Sequence, residues 1–306
     1  MSSQRPSAIR WLEAAFLLPL GTLLRVLSPR GRVAIGHAIG TLGHAIAFRH
    51  RHLARENVQR ALGCDIDEAA AIARASFRHF GRLLVEVLSS TSYAQPGAER
   101  LFEVEGFEHL EQAYAQERGV LVFSAHIGNW ELIALRQALA GYPMDLIARP
   151  LDNPWLEKAF NRWRESTGNR VLGKHGALRQ ALRTLREKRG LAILIDQNVH
   201  TPPRLFVPFF GRPAATTPTL ASLAIHRRAP IIPVVSIPRP DGGYRIVYGA
   251  PIALPADGDD ETRIRELTVR ATQQIERWIR AQPETWLWLH NRWKSQPPPD
   301  EEDSKR

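Results

Sequence analysis

Between residues 119 and 248, short apolar runs alternate with longer amphipathic segments, and this alternation constrains the fold more than any other feature of the chain. The runs at 119–123, 144–148, 191–195, 230–236 and 244–248 have the length and content of strands, while 130–140, 155–167 and 176–188 repeat their apolar positions at helical spacing. Near-continuous apolar strands joined through helices predict an α/β fold, with a largely parallel or mixed central sheet flanked by helices. Asn153-Pro154 supplies a capping residue and a first-turn proline for one of these helices. A last helix is expected over 261–281, ahead of the aromatic segment Trp286-Leu287-Trp288-Leu289-His290.

The amino terminus has a different character. Residues 14–24 are apolar, bounded by Glu13 and Arg25 and interrupted by Pro19. Residues 33–48 contain no Lys, Arg, Asp or Glu and run into Arg49-His50-Arg51-His52. Each falls short of the roughly 20 apolar residues of a simple spanning helix, and the acidic start and lack of a small-residue cleavage site disfavour a signal peptide. Residues 1–50 are therefore expected to form a hydrophobic helical anchor at the membrane surface, with Arg side chains at anionic headgroups. The alternative is a pair of amphipathic helices packed on the domain, and Gly36, Gly40 and Gly43 suit close helix packing in either case. Two surface helices are expected over 54–89, broken at Gly63-Cys64-Asp65, with Leu83, Leu84, Val87 and Leu88 as core candidates. The α/β domain is assigned to 51–296 and a disordered tail to 297–306.

A formal net charge of +10 favours polyanionic partners: nucleic acid, anionic lipid or an acidic carrier protein. No RNA-binding sheet motif, zinc finger or helix-turn-helix accompanies the charge, so nucleic acid is not expected as a partner. The single cysteine, Cys64, excludes an internal disulfide and a multi-cysteine zinc site, which fits a reducing compartment.

Functional groups in such sheets collect beyond the carboxyl ends of the strands. His126, Arg149 and Asp196-Gln197-Asn198 each follow a predicted strand. His126 and Glu131 would stand about 140° apart on a continuous helix of roughly 3.6 residues per turn, so pairing them requires a bend, which Gly128 and Asn129 can supply. With Asn129 as cap, Glu131 falls in the first helical turn, where an ionised carboxylate is favoured. It could then accept from one imidazole nitrogen and leave the other as a general base towards a hydroxyl. A structural histidine near a helix start is the plainer reading. No G-x-S-x-G elbow, P-loop, G-x-G-x-x-G or H-E-x-x-H is present, and no metal ligand set is evident.

The segment Ser124-Ala125-His126-Ile127-Gly128-Asn129-Trp130-Glu131 resembles the late acyltransferases of lipid A biosynthesis, a branch of the lysophospholipid acyltransferase superfamily whose signature is His, four residues, then an acidic residue. The resemblance continues in order through Arg149-Pro150-Leu151-Asp152-Asn153-Pro154, Asp196-Gln197-Asn198, Val207-Pro208-Phe209-Phe210-Gly211, Ala215-Thr216-Thr217-Pro218, Ile232-Pro233-Val234-Val235 and Trp288-Leu289-His290-Asn291-Arg292-Trp293-Lys294. It implies transfer of an acyl chain from acyl carrier protein, or from coenzyme A, to a hydroxyl of a lipid A precursor or related glycolipid. The implied location is the cytoplasmic face of a bacterial inner membrane. The acyl thioester is a co-substrate, and no cofactor or metal is implied.

His126 would be the general base and Glu131 its orienting partner. Arg149, Asn129, Asp196, Gln197, Phe209 and Gly211 would bind substrate, with Arg149 at a phosphate or headgroup and Phe209 and Phe210 along an acyl channel or simply in the core. Backbone N–H groups near the helix start, or Arg149, would stabilise the oxyanion. Pro208-Phe209-Phe210-Gly211 lacks the Glu of the Phe-Pro-Glu-Gly block usual in glycerophospholipid-making relatives, which points to a glycolipid acceptor. Rival readings are an acyl-coenzyme A enzyme acting on a lysophospholipid, aminolipid or mannosylated lipid, and a non-catalytic peripheral lipid-binding protein.

Overall fold

A computed structural model describes residues 6–173 and 176–298. Four helices open the chain: α1 (Ser7–Leu24), α2 (Pro29–Ile46), α3 (Phe48–Leu62) and α4 (Ile66–Leu88). The remainder alternates as β1 (Phe102–Glu105), α5 (Phe107–Tyr114), β2 (Val120–Ser124), α6 (Glu131–Leu139), β3 (Met144–Ile147), α7 (Pro154–Glu165), β4 (Arg170–Leu172), α8 (Ala177–Arg186) and β5 (Gly190–Leu194). It closes with the antiparallel hairpin β6 (Leu205–Phe209) and β7 (Arg212–Thr216), then α9 (Thr219–Arg227), β8 (Ile231–Pro238), β9 (Tyr244–Tyr248) and α10 (Asp260–Ala281).

The central sheet has the order β1-β9-β8-β2-β5-β3-β4. Strands β8, β2, β5, β3 and β4 run parallel, and only the β8–β9 pairing is antiparallel, so the sheet is largely parallel as its apolar runs predict. Alternation along β2 divides the core. Val120 and Val122 pack with α5 and α6, while Leu121 and Phe123 face the side covered by α3, α8, α9 and α10.

Two expectations change at the amino terminus. Helix α4 is not a surface helix: Phe77, His79, Arg82, Val85 and Glu86 are buried. The reason is the glycines of α2. A Cβ on Gly36 would lie 2.3 Å from Arg82 Cα and one on Gly40 2.2 Å from the Phe77 carbonyl oxygen, so only glycine lets the backbones approach this closely. Gly43 lies outside this contact, with Phe77 Cδ1 3.7 Å from the position of a Cβ. Of the core candidates on α4, Leu83 is buried, Val87 and Leu88 are half-buried, and Leu84 is 48% exposed on the face turned outward.

Helix α1 begins before the apolar run and reaches 18 residues, long and apolar enough by length and composition to cross a membrane, with 17% of it buried. Ile9, Trp11, Leu12, Phe16 and Leu23 on α1, and Ile35, Ile39, Leu42 and Ile46 on α2, are exposed. Asn153 ties α1 to α7. It caps α7 by accepting from Trp155 and Leu156 N–H, and its Nδ2 donates to the Arg10 carbonyl at 2.7 Å and to Glu13 Oε2 at 3.2 Å. Most of the expected tail, 299–306, lies outside the described residues.

Candidate active site

Strands β2, β5 and β3 are neighbours, so their carboxyl ends bring His126, Asp196-Gln197 and Arg149 to one edge of the sheet. The loop after β2 is fixed on several sides. Gly128 has φ +60, and a Cβ there would lie 1.7 Å from the Ser236 carbonyl oxygen, so the bend between His126 and Glu131 requires glycine. Gly128 N–H donates to the Thr285 carbonyl, Asn129 N–H to that of Ser236, and Leu287 N–H to that of His126. His79 Nε2 lies 3.1 Å from the Gly128 carbonyl, to which it donates.

Within this loop the partner of His126 is Asp196. Their Nδ1 and Oδ1 atoms are 2.8 Å apart, and Asp196 Oδ2 accepts from the His126 backbone N–H at 3.0 Å and from Trp286 Nε1 at 2.8 Å. Burial pushes the Asp196 carboxyl up, but His126 and these donors outweigh it and hold its pKa at about 2. Burial lowers the His126 pKa, yet the Asp196 charge and hydrogen bond, with Glu131 nearby, leave it raised. An ionised Asp196 accepts the Nδ1–H of a neutral imidazole and leaves Nε2 with its lone pair. Gln197 Nε2 sits 3.2 Å from that atom and donates to it. Gln197 is itself backed by Arg292, a buried guanidinium whose pKa burial lowers to about 10 and which binds the carbonyls of Gln197 and Ala215.

Glu131, expected to orient His126, makes no direct hydrogen bond to it among the described residues. Glu131 is in the first turn of α6, as expected, but its carboxylate turns to Arg164, with Oε1 2.6 Å from Nη2 and Oε2 2.9 Å from Nε. Trp130 stands between the two residues, its Nε1 donating to Glu131 Oε1 and its ring 4.7 Å from the imidazole at an edge-on angle of 65°. Two parallel N–H donors satisfy the carboxylate better than one imidazole edge can.

Asn129 does not cap α6 through its side chain. Its Nδ2 donates to Glu86 Oε2 at 3.1 Å, inside a buried cluster where Glu86 also accepts from Arg82 Nε at 2.7 Å and from the Tyr244 hydroxyl. Sequence reading missed Glu86 and Arg82, which resemble an ordinary i,i+4 surface pair, and missed Arg164 and Trp286.

A cavity of about 680 Å³ opens beside His126, with Gln197, Trp130, Glu131, Arg164 and Arg149 at its polar end. Arg149 is 70% exposed at the mouth, 3.5 Å from Asp152. Leu151, Asp152 and Phe160 extend the wall towards α7, the helix that Asn153 joins to α1. Phe209 and Gly211 are not part of this wall. Phe209 is buried against Trp286 and Trp293, the core placement of its two expected ones, and Gly211 makes the tight turn between β6 and β7. Among the described residues no cluster of His, Cys, Asp and Glu is placed to hold a metal ion.

The sequence profile described as bacterial lipid A biosynthesis acyltransferase matches residues 3–295. A lipid A biosynthesis palmitoleoyltransferase of Escherichia coli is 26% identical over 266 residues, covering 86% of this chain and 85% of the relative. A lipid A biosynthesis lauroyltransferase of the same organism is 27% identical, with the same coverage. A phosphatidylinositol mannoside acyltransferase of Mycobacterium tuberculosis is 26% identical over 248 residues, covering 78% of this chain and 76% of the relative.

Proposed function

Because the chain belongs to the bacterial lipid A biosynthesis acyltransferase family and is an O-acyltransferase, we propose that His126 Nε2 is the general base that activates a hydroxyl of a lipid A precursor or related glycolipid. The observation that carries this reading is the His126–Asp196 pair, whose carboxylate accepts from Nδ1 and leaves Nε2 as the unshared nitrogen of a histidine that lines the cavity.

In the reaction, Nε2 takes the hydroxyl proton as the oxygen attacks the carbonyl carbon of an acyl thioester. The tetrahedral intermediate collapses by breaking the carbon–sulfur bond, and the departing thiolate takes the proton back from the imidazolium, giving an ester and a free thiol. Trp130 and Gln197 flank the imidazole, and Gln197 gives up its hydrogen bond to Nε2 when the hydroxyl arrives. Arg149, exposed at the mouth beside one weak carboxylate contact, meets an anionic headgroup.

Acyl carrier protein is the donor favoured by the net charge of +10, since an acidic carrier complements a basic surface. The exposed apolar residues of α1 and α2 lie in the cytoplasmic leaflet of the inner membrane. Because α1 is joined to α7 at Asn153, this seats the cavity mouth next to the lipid.

The test is acyl transfer by purified wild type and His126→Ala, followed by mass spectrometry. Acyl carrier protein and coenzyme A thioesters are each offered with a lipid A precursor, a lysophospholipid and a mannosylated phosphatidylinositol. The expected result is product from the carrier-protein thioester and the lipid A precursor, with a loss of at least about a hundredfold in the variant. A folded His126→Ala protein as active as wild type refutes the general-base role, and preference for another acceptor reassigns the substrate.

A further inference from the structure

Helix α4 reaches both halves of the His126–Asp196 pair. Ser76 Oγ donates at 2.9 Å to the carbonyl of Trp286, whose ring N–H holds Asp196. His79 donates to the Gly128 carbonyl, and Glu86 Oε2 accepts from Asn129 Nδ2 at 3.1 Å. At roughly 3.6 residues per turn, positions 76, 79 and 86 fall within about 80° of one another, so one face of one helix registers the loop after β2 and the Trp286 segment. Glu86 is the centre of a buried ionic cluster. It also accepts from Arg82 Nε at 2.7 Å and from the Tyr244 hydroxyl, and the Arg82 guanidinium reaches on to the carbonyls of Arg239 and Gly243. Glu86 and Asn129 are each 1% exposed.

We propose that Glu86 is a positioning residue for the reaction: by holding the Asn129 side chain, it sets where His126 and Trp130 stand at the cavity. The inference rests on the general-base reading of His126. Taking Arg82 and Glu86 out of water is costly, and apolar residues of the same volume would fill this space without that cost. Asn129 Oδ1 is in addition buried with no hydrogen-bond partner among the described residues, a second cost. What the cluster provides and an apolar one does not is direction, because a buried network of donors and acceptors fits together in one arrangement.

Asn129 is the residue through which that direction reaches the chemistry. Its backbone N–H donates to the Ser236 carbonyl and its side chain to Glu86, so it is fixed on two sides between His126 and Trp130. It stands outside the cavity wall, and so works through its neighbours and not on substrate. Trp130 follows directly, with its ring 4.7 Å from the imidazole and its Nε1 on Glu131. Without the carboxylate, the Asn129 side chain is free to turn towards the first N–H groups of α6, the capping role its type favours, and to carry Trp130 with it.

The experiment measures kcat, KM and the thermal midpoint of the full-length wild type, His126→Ala, Asn129→Leu, Asn129→Asp and the double variant Glu86→Gln/Asn129→Asp, with one acyl thioester and one acceptor. Asn129→Leu keeps the volume and leaves Glu86 its bonds to Arg82 and Tyr244, so it removes the contact without stripping Arg82 of its counter-ion. Its kcat is expected to fall by about tenfold to a hundredfold, the scale of a misplacement of roughly 1 Å, with KM within about twofold of wild type and the thermal midpoint unchanged. Asn129→Asp sets a second carboxylate against Glu86 and is expected to lose more. The double variant again has one carboxylate and one amide across the contact, and is expected to recover kcat by at least about tenfold over Asn129→Asp, the coupling of two residues in one network. A folded Asn129→Leu protein with wild-type kcat overturns the proposal, as does a loss confined to KM. A double variant no more active than Asn129→Asp overturns it too, and this comparison decides alone if Asn129→Leu does not fold. Transfer by His126→Ala at the wild-type rate is instead a failure of the general-base reading, read from that variant by itself.

Discussion

His126 Nδ1 lies 2.8 Å from Oδ1 of Asp196, 70 positions away in the chain, while Glu131, five positions away, is held by Arg164. Asp196 has further donors in Trp286 and the His126 backbone, so the carboxylate cannot rotate without losing them. The imidazole is thus aimed by a rigid anion at the end of the neighbouring parallel strand, and the acidic residue of the short motif secures α6 to α7 instead.

That division of labour makes Glu131 and Arg164 a structural pair at the cavity wall. With side chains 10% and 12% exposed, they are largely withdrawn from water. Glu131→Gln leaves the guanidinium without its counter-ion and is expected to cost about 3 kcal/mol, the lower end for breaking a buried pair because some solvent still reaches it. Thermal denaturation in detergent should show the loss, and Glu131→Gln combined with Arg164→Met should recover part of it. A single variant as stable as wild type contradicts the assignment.

Close approach of α2 and α4 separates two glycines of one series. Gly40→Ala places a methyl 2.2 Å from the Phe77 carbonyl oxygen and is expected to destabilise by at least about 1–3 kcal/mol, since backbone must move to admit it. Gly43→Ala meets only an ordinary contact with Phe77 and is expected to be neutral or to gain about 0.5–1 kcal/mol from lower unfolded-chain entropy. Denaturant midpoints of the two variants decide it.

Acid should loosen the loop that carries His126. His79 is fully buried, and burial lowers its pKa to about 4, against 6.5 when exposed, with the Gly128 hydrogen bond opposing only part of the shift. Below pH 6.5 the unfolded chain binds a proton at this site that the folded chain does not, so stability falls as pH drops from 6.5 towards 4, by up to about 3 kcal/mol. Asp196, held at about 2, adds a further loss below its unfolded value of 3.8. Stability measured from pH 7 to 4 should decline in wild type and more gently in His79→Gln, whose amide keeps a donor towards Gly128. Equal slopes contradict the role given to His79.

Much of this architecture was legible in the sequence because its strands are buried on both faces and its apolar runs are unbroken. β2, β3, β5, β8 and β9 fall within a residue or two of the runs that predict them. β1 and β4 were missed for the opposite reason: Phe102–Glu105 alternates half-buried and exposed residues, and Arg170–Leu172 is only 3 residues at the sheet edge. The rule that functional groups gather at strand ends puts His126, Arg149 and Asp196 after strands that are neighbours in the sheet, yet it could not rank partners for the imidazole. Spacing exposes only a neighbour such as Glu131, whereas Asp196 becomes adjacent through the pairing of β2 with β5. Phe209 fills the core, one of the two readings left open for it, because an aromatic in a motif looks alike in sequence whether it lines a channel or packs inside.

The most direct test of the His126–Asp196 assignment is the pH dependence of kcat/KM for acyl transfer in wild type and Asp196→Asn. A base acts only when unprotonated, and Asp196 raises the His126 pKa, so the wild-type rate should fall off on the acid side along an ionisation above 6.5. In Asp196→Asn that limb should move to lower pH while the plateau drops by about a hundredfold to ten-thousandfold, because the asparagine neither holds the tautomer nor stabilises the imidazolium. An acid limb that stays in place, or a folded Asp196→Asn protein with the wild-type plateau, contradicts the account.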